Sequence, residues 1–223
     1  MNNLKILNLN FSGVSSFSVS KKRSRDICDK KLASISDWIS KEDMFDILLL
    51  QGKEIEMMVR NVFECKKYHG FFNVNSSTAI LLHNHIPIAG CSYFDTIGNS
   101  VVIFDGEDYL ALFSIALSRE KEVSMFKDIF LNYSLPRDHF NISSSIIGGS
   151  FPSKQGFDIF TKGLKLYDVL ENADMKFEDM KDARYHLLVS SDLEVSGSSR
   201  QTLFTKEKVL TYSPISSVVR NKL

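Results

Sequence analysis

The chain has 223 residues, 43% of them hydrophobic and 24% charged, with Lys+Arg and Asp+Glu both at 27 and a formal net charge of zero. This size and apolar content support one domain over residues 1–223 with a sizeable core. Charge neutrality argues against broad, non-specific nucleic-acid binding, which depends on excess positive charge. Cys28, Cys65 and Cys91 are odd in number and irregularly spaced, with no C-x-x-C. That pattern argues against a disulfide framework or a zinc site and for a reducing compartment. There is no signal-peptide core and no run near 18 apolar residues. The expectation is an intracellular, cytoplasmic protein without a membrane span.

Leu4 to Phe11 (Leu-Lys-Ile-Leu-Asn-Leu-Asn-Phe) reads as a strand broken by Ser12-Gly13. Asn10, at its C-terminal end, is either a turn residue or an oxygen donor aimed into a site. Ser15 to Ser24 is a polar loop. With Arg25, its Lys21, Lys22 and Arg23 form a short basic cluster, read as a solvated loop, a nuclear-import signal or a phosphate-contacting patch. Asp26 to Ser40 carries Cys28, Leu32, Ile35 and Ile39 on one helical stripe, bordered by Trp38.

Asp46-Ile47-Leu48-Leu49-Leu50-Gln51 is a continuous apolar run, a strand buried on both faces and ended by Gly52. Glu54 to Cys65 returns to helical spacing. After Gly70 come the strand candidates Ser77 to Leu82, Ile86 to Ala89, Ser100 to Phe104 and Tyr109 to Leu117. Turn chemistry at Gly98-Asn99 and Asp105 to Asp108 joins them into an antiparallel meander. His83 and His85 form an H-x-H at a strand end; with no acidic or cysteine neighbour in sequence, it is read as no metal site.

Glu120 to Tyr133 has helical spacing and Pro136 beyond it. Ser144 to Gly149 is a strand that stops at Gly148-Gly149, followed by Ser150-Phe151-Pro152. Gln155 to Leu170 is mixed. Arg184 to Ser190 is a strand that Leu193 to Val195 extends or pairs with, Gly197 to Arg200 reads as loop, and Val209 to Val219 closes the chain around Ser213-Pro214. The middle strands lack crossover helices. A two-sheet α/β sandwich flanked by helices therefore fits better than one doubly wound sheet.

In this order the segments resemble the endonuclease/exonuclease/phosphatase (DNase I-like) superfamily over nearly the whole chain. Leu4 to Gly13 resembles the family's opening strand, and Asp46 to Gln51 the strand before its metal-binding Glu. Thr78 to Leu82 resembles its G-x-A-I-L strand, Ile146 to Pro152 its G-D-F-N turn, and Leu164 to Leu170 the segment after that turn. Arg184 to Ser190 resembles its I-D-Y-I-L-V-S strand, and Ser213-Pro214-Ile215 its closing S-D-H. The resemblance implies a four-layer fold and, in active members, metal-dependent phosphoester hydrolysis. It also implies which positions would carry that chemistry.

At those positions Asn10 persists. The Glu after Gln51 is Gly52, and the mid-chain His falls on Ile115-Ala116. The Asp and Asn of G-D-F-N are Ser150 and Pro152. The late Asp is Tyr185, with His186 beside it, and the closing Asp and His are Pro214 and Ile215. Gly, Ala, Pro and Ile neither ligate metal nor transfer protons, and groups that act together fail together.

The first reading is therefore a catalytically inactive member of the fold, without cofactor, acting as a protein-binding, regulatory or structural component. A second is a non-cleaving nucleic-acid-binding module that uses Lys21, Lys22, Arg23 and Arg25. A third is a divergent phosphodiesterase or nuclease with relocated groups drawn from Glu54, His83, His85 and His186. Ser150 is a poor nucleophile candidate, because its turn does not match G-x-S-x-G. If the resemblance holds, Asn10, Gly52, Ser150, Tyr185 and Pro214 meet at one end of a two-sheet sandwich.

Overall fold

The computed structural model describes residues 3–11, 30, 33–35, 37–39, 45–52, 55, 59, 67–104, 108–133, 142–169, 185–200 and 215–221. Its strands form two six-stranded sheets. In chain order they are β1 (Leu4–Asn10), β2 (Ile47–Gln51), β3 (Tyr68–Asn73), β4 (Thr78–His83), β5 (Ile88–Phe94), β6 (Gly98–Phe104), β7 (Tyr109–Ala116), β8 (Ile142–Ser150), β9 (Leu166–Asp168), β10 (Tyr185–Ser190), β11 (Leu193–Arg200) and β12 (Ile215–Asn221). The first sheet has the order β11-β12-β1-β2-β4-β3, the second β5-β6-β7-β8-β10-β9. Helix α1 (Glu120–Tyr133) lies between β7 and β8, and α2 (Lys154–Thr161) follows β8.

Each sheet has one parallel pair at its centre, β1 with β2 and β7 with β8, and antiparallel pairs elsewhere. A parallel pair requires a crossover, and helices on the outer faces supply cover. Helical Ile35, Ile39, Ile55 and Val59 pack with Leu7, Leu9, Leu48 and Leu50 outside the first sheet. Outside the second, Val123, Phe126 and Phe130 of α1 and Phe160 of α2 pack with Phe113, Ile147 and Leu188. Between the sheets lie Ile6, Leu49, Ile80, Val101, Leu112, Ile146 and Leu187. The result is helix, sheet, sheet, helix.

Strand alternation explains the sequence pattern. Ile47 and Leu49 of β2 face the inter-sheet core, while Leu48 and Leu50 face the helical layer. A run apolar at every position is what burial on both faces requires. Trp38 is half-buried against the outer layer, with its ring 5.9 Å from that of Phe45.

Five segments differ from the sequence expectation. Gly98-Asn99, expected as a turn, opens β6, where Asn99 pairs with Tyr93 and Ser114. Tyr68–Asn73 is a strand despite Gly70, because β3 is an edge strand whose backbone pairs only with β4. Gly-containing segments carry little strand propensity of their own. β5 runs over Ile88–Phe94 rather than 86–89, with a register shift between Ile88 and Gly90. The expected loop at 197–200 belongs to β11, which tolerates Gly197 through a bulge between Val195 and Ser198. The mixed segment after Gln155 resolves into α2 and the short strand β9. Cys28, Leu32, Met58, Val62, Phe63 and Leu170 lie outside the described residues.

The turn after β8 depends on Gly149. Its φ is +157°, and a Cβ there would stand 2.1 Å from the Ile115 carbonyl oxygen of the parallel neighbour β7. Gly149→Ala is expected to lower stability by about 2 kcal/mol or more, read as a fall in the urea midpoint at unchanged slope.

Candidate functional site at the strand ends

Register brings the candidate positions together. Asn10 pairs with Gln51 at the C-terminal ends of β1 and β2, and Gly52 follows. Antiparallel pairing sets the start of β12, Ile215, beside Asn8. In the second sheet Ser150 is flanked by Ala116 at the end of β7 and by Tyr185 at the start of β10. The two clusters face each other across the sandwich, because Asn8 and Gln51 bond directly to β7, β8 and β10. Asn10, Gln51, Gly52, Ser150, Tyr185 and Ile215 thus share one end of the molecule. Pro214, Glu54 and the basic cluster Lys21, Lys22, Arg23 and Arg25 lie outside the described residues.

Beneath that end the inter-sheet core is polar. Asn8 is fully buried. Its Nδ2 donates to the His186 carbonyl at 2.7 Å, and its Oδ1 accepts from the Tyr185 hydroxyl at 2.9 Å. Gln51 Nε2 lies 3.2 Å from the same Oδ1, 3.0 Å from Ser114 Oγ and 3.3 Å from the Gly148 carbonyl. Ser114 Oγ donates in turn to the Leu50 carbonyl at 2.9 Å. Gln51 Oε1 is buried without a hydrogen-bond partner.

A second set continues the belt toward β3. Thr78 Oγ1 donates to Asn99 Oδ1 at 2.9 Å and lies 2.7 Å from Ser76 Oγ. Asn99 Nδ2 reaches the Phe71 carbonyl, and Asn73 Nδ2 the Asp95 and Gly98 carbonyls. All of these side chains are neutral. Buried amides and hydroxyls are tolerable only when mutually satisfied. Closure of the belt therefore ties the two sheets together at the functional end.

Two neighbouring residues of β10 part company. Tyr185 points into the inter-sheet core, where burial pushes its phenol well above the ordinary tyrosine range. The His186 ring lies on the opposite, helical face. Its Nδ1 stands 2.5 Å from Asp168 Oδ2, its ring stacks on Phe157 at 4.0 Å, and it meets Phe151 edge-on. Both members of the pair are buried. His186 is therefore a packed outer-layer residue, and its ring does not face Tyr185's side of the sheet. His83 and His85 sit at the other end of β4, where His83 pairs with Tyr68. Of the described members of the relocated set, His83 and His85 meet each other, whereas His186 lies apart with Asp168.

Pro152 and Ser153 lead into α2. Ser153 caps the helix by accepting from the Gly156 amide at 3.0 Å, and its hydroxyl bonds Glu120 at the start of α1. This is helix-capping chemistry.

A Mg²⁺ or Mn²⁺ centre takes a shell of oxygen ligands built around carboxylates. No group of three or more His, Cys, Asp or Glu side chains among the described residues could hold a metal ion. The amides, hydroxyls and phenol at the strand ends do not fit such a centre. Among the described residues no helix is long and apolar enough to cross a membrane.

Asn8 was visible in sequence as a polar break in an apolar strand, as was Ser114 in Tyr109–Ala116. Sequence reasoning singled out Asn10 and passed over Asn8, Ser114, Asn99 and Thr78. The signal available for Asn8 and Ser114 was that each interrupts an apolar strand, whereas Thr78 and Asn99 stand at strand starts and gave no such signal.

Removing either member of the buried His186–Asp168 pair takes a short buried contact from the other. Asp168→Ala is expected to cost about 3–5 kcal/mol by chemical denaturation. For Tyr185 the folded pKa lies above the unfolded one. Its contribution is full below about pH 10 and is lost as pH rises further. At neutral pH Tyr185→Phe should cost about 1 kcal/mol. Above pH 10 the wild-type advantage over Tyr185→Phe should shrink and then reverse, read from urea midpoints of both proteins across pH 7–11.

No protein-family model and no curated protein sequence matches the chain. Solved structures do. The human nocturnin catalytic domain, crystallised with a bound sulfate anion, superposes with a TM-score of 0.75 at 10% identity, covering 99% of this chain and 95% of that one. An endonuclease/exonuclease/phosphatase from Bacteroides vulgatus gives 0.73 at 7% identity, with full coverage of both chains. D. rerio TDP2 complexed with a single-strand DNA product gives 0.69 at 13% identity, covering 99% and 100%. At such identities the likeness is one of fold: the chain has the two-sheet α/β sandwich of the DNase I-like endonuclease/exonuclease/phosphatase proteins.

Proposed function

We propose that this chain is a catalytically inactive member of the endonuclease/exonuclease/phosphatase superfamily, whose strand-end surface binds a protein partner in a regulatory or structural role. The observation that carries the reading is the neutral, internally hydrogen-bonded belt that the described residues form at the end where strand termini converge. Metal-assisted phosphoester hydrolysis needs carboxylates to hold the cation, a group to orient the nucleophile, and an acid to protonate the leaving oxygen. At this end stand Asn10, Gln51, Gly52, Ala116, Ser150, Tyr185 and Ile215. Tyr185 spends its hydroxyl on Asn8, and Gln51 spends its amide on three acceptors.

The fold around these positions supports the same reading. The apolar frames of β1, β2, β8 and β10 are buried on both faces. A scaffold of this kind retains a concave end after its charged groups are exchanged for neutral ones, and a fold does not by itself carry a function.

The test has two arms. Isothermal calorimetry with Mg²⁺ and Mn²⁺ is expected to give no saturable binding tighter than about 1 mM. Hydrolysis of single- and double-stranded DNA and of bis-p-nitrophenyl phosphate should stay at buffer background. Metal-dependent hydrolysis that disappears in Asn10→Ala would overturn the proposal. Retention of DNA or RNA in low-salt gel shifts, without cleavage, would replace the protein partner with nucleic acid. A partner captured by the wild type should be lost in Ser150→Arg or Pro152→Glu, which alter the half-exposed rim and leave the core intact.

A further inference from the structure

The far end of the first sheet carries an arrangement that the strand-end chemistry does not use. β4 ends at His83, and the chain turns through Asn84 and His85, closed by the Ile86 amide donating to the His83 carbonyl at 2.9 Å. The turn sets both imidazoles on one side. His83 Nδ1 and His85 Nδ1 are 2.6 Å apart, and the ring centroids 4.5 Å. At that separation one ring's Nδ1–H can donate to the other's Nδ1 lone pair, and a cation that replaces the shared proton would take both lone pairs.

The other nitrogen of His85 is held too. Nε2 faces Asp46 Oδ1 at 3.4 Å. Asp46 is itself fixed: its Oδ2 accepts the Lys5 amide at 2.8 Å, its amide donates to the Lys5 carbonyl at 2.8 Å, and its carbonyl accepts the His83 amide at 2.9 Å. Asp46 lies far from the H-x-H in sequence, so the acidic partner was invisible there. His83 Nε2 is buried without a hydrogen-bond partner, and the ring meets Tyr68 edge-on at 5.6 Å. Nδ1 is therefore the nitrogen that His83 can offer to a ligand.

We propose that His83 and His85 form a binding site for a late first-row divalent cation, Zn²⁺, Ni²⁺ or Cu²⁺, held by the two Nδ1 atoms with water completing its shell. Imidazole suits these ions and not Mg²⁺. Metal–nitrogen bonds of about 2.0–2.1 Å require the pair to open by less than about 1 Å, and His85 is exposed. With both Nδ1 lone pairs on the cation, each ring carries its proton on Nε2. That tautomer lets His85 donate to Asp46, the carboxylate–histidine–metal arrangement that orients a ligating ring. Asp46 is a positioning residue and not a ligand, because it lies on the opposite edge of the His85 ring.

The experiment is calorimetric titration of Zn²⁺ into the full chain carrying Cys91→Ser, which removes the exposed thiol. One saturable event is expected. His83→Ala and His85→Ala should each weaken it at least about 10-fold, and Asp46→Asn about 10-fold, in keeping with the loss of an orienting partner. His69→Ala, on the neighbouring strand β3, should leave it unchanged. Zn²⁺ should also raise the thermal midpoint of the parent and not of the histidine variants, while Mg²⁺ moves neither. His85→Ala changes an exposed side chain, so it carries the test if His83→Ala does not fold. The proposal is overturned if the His85 variant binds Zn²⁺ as tightly as the parent, or if the parent shows no saturable binding below about 1 mM.

Discussion

The cross-sheet contact of Asn8 is the constraint on which the rest of the molecule depends. Its amide bonds the His186 backbone, and its oxygen accepts from Tyr185 and Gln51, so one side chain joins β1 and β2 to β10. Gln51 extends the join to Ser114 of β7 and the Gly148 carbonyl of β8. The approach is close enough to dictate a neighbour. A Cβ on Gly148 would stand 2.7 Å from Asn8 Oδ1 and 2.7 Å from Leu49 Cδ1. The first glycine of the pair in β8 is thus set by the opposite sheet, and the second by β7. Apolar packing alone would allow two sheets to slide, whereas a buried polar network has one satisfied arrangement.

Strand alternation then sorts chemistry into layers. Tyr185 and His186 are adjacent, yet one serves the inter-sheet core and the other the phenylalanine layer under α2. The outer layer is dense in aromatic rings: Phe113, Phe126, Phe130, Phe151 and Phe160 meet at centroid separations of 5.1–6.4 Å. Such a layer tolerates the His186–Asp168 pair because each polar group finds a partner there. The histidine that sequence placed beside a lost acid therefore belongs to packing.

Convergence of strand ends is a property of topology. Parallel central pairs in both sheets put their C-terminal ends on the same side, where α/β proteins gather their sites. Among the described residues that end is built from amides, hydroxyls, a phenol and glycines. His83 and His85 lie at the other end of β4, beside Asp46. The described residues at the two ends thus differ in chemical character, neutral and hydrogen-bonded at one, imidazole and carboxylate at the other.

Much of this was legible in the residues alone. The every-position apolar run Ile47–Leu50 announced a strand buried on both faces, and the stripe in Glu120–Tyr133 announced a helix. The missing crossovers in the middle third announced two sheets rather than one. These follow from local periodicity, which burial imposes directly. Edge strand β3 was not legible, and β5 and the bulged β11 only over 86–89 and 193–195, because their pairing comes from a partner strand rather than from their own pattern. The sequence also carried the list of strand-end residues, but not their partners. That Asn8 bridges the sheets, that His186 turns outward to Asp168, and that Asp46 meets His85 were decided only by tertiary structure. Each is a contact between residues distant in the chain, and register and the sandwich determine which distant side chains come within hydrogen-bonding reach.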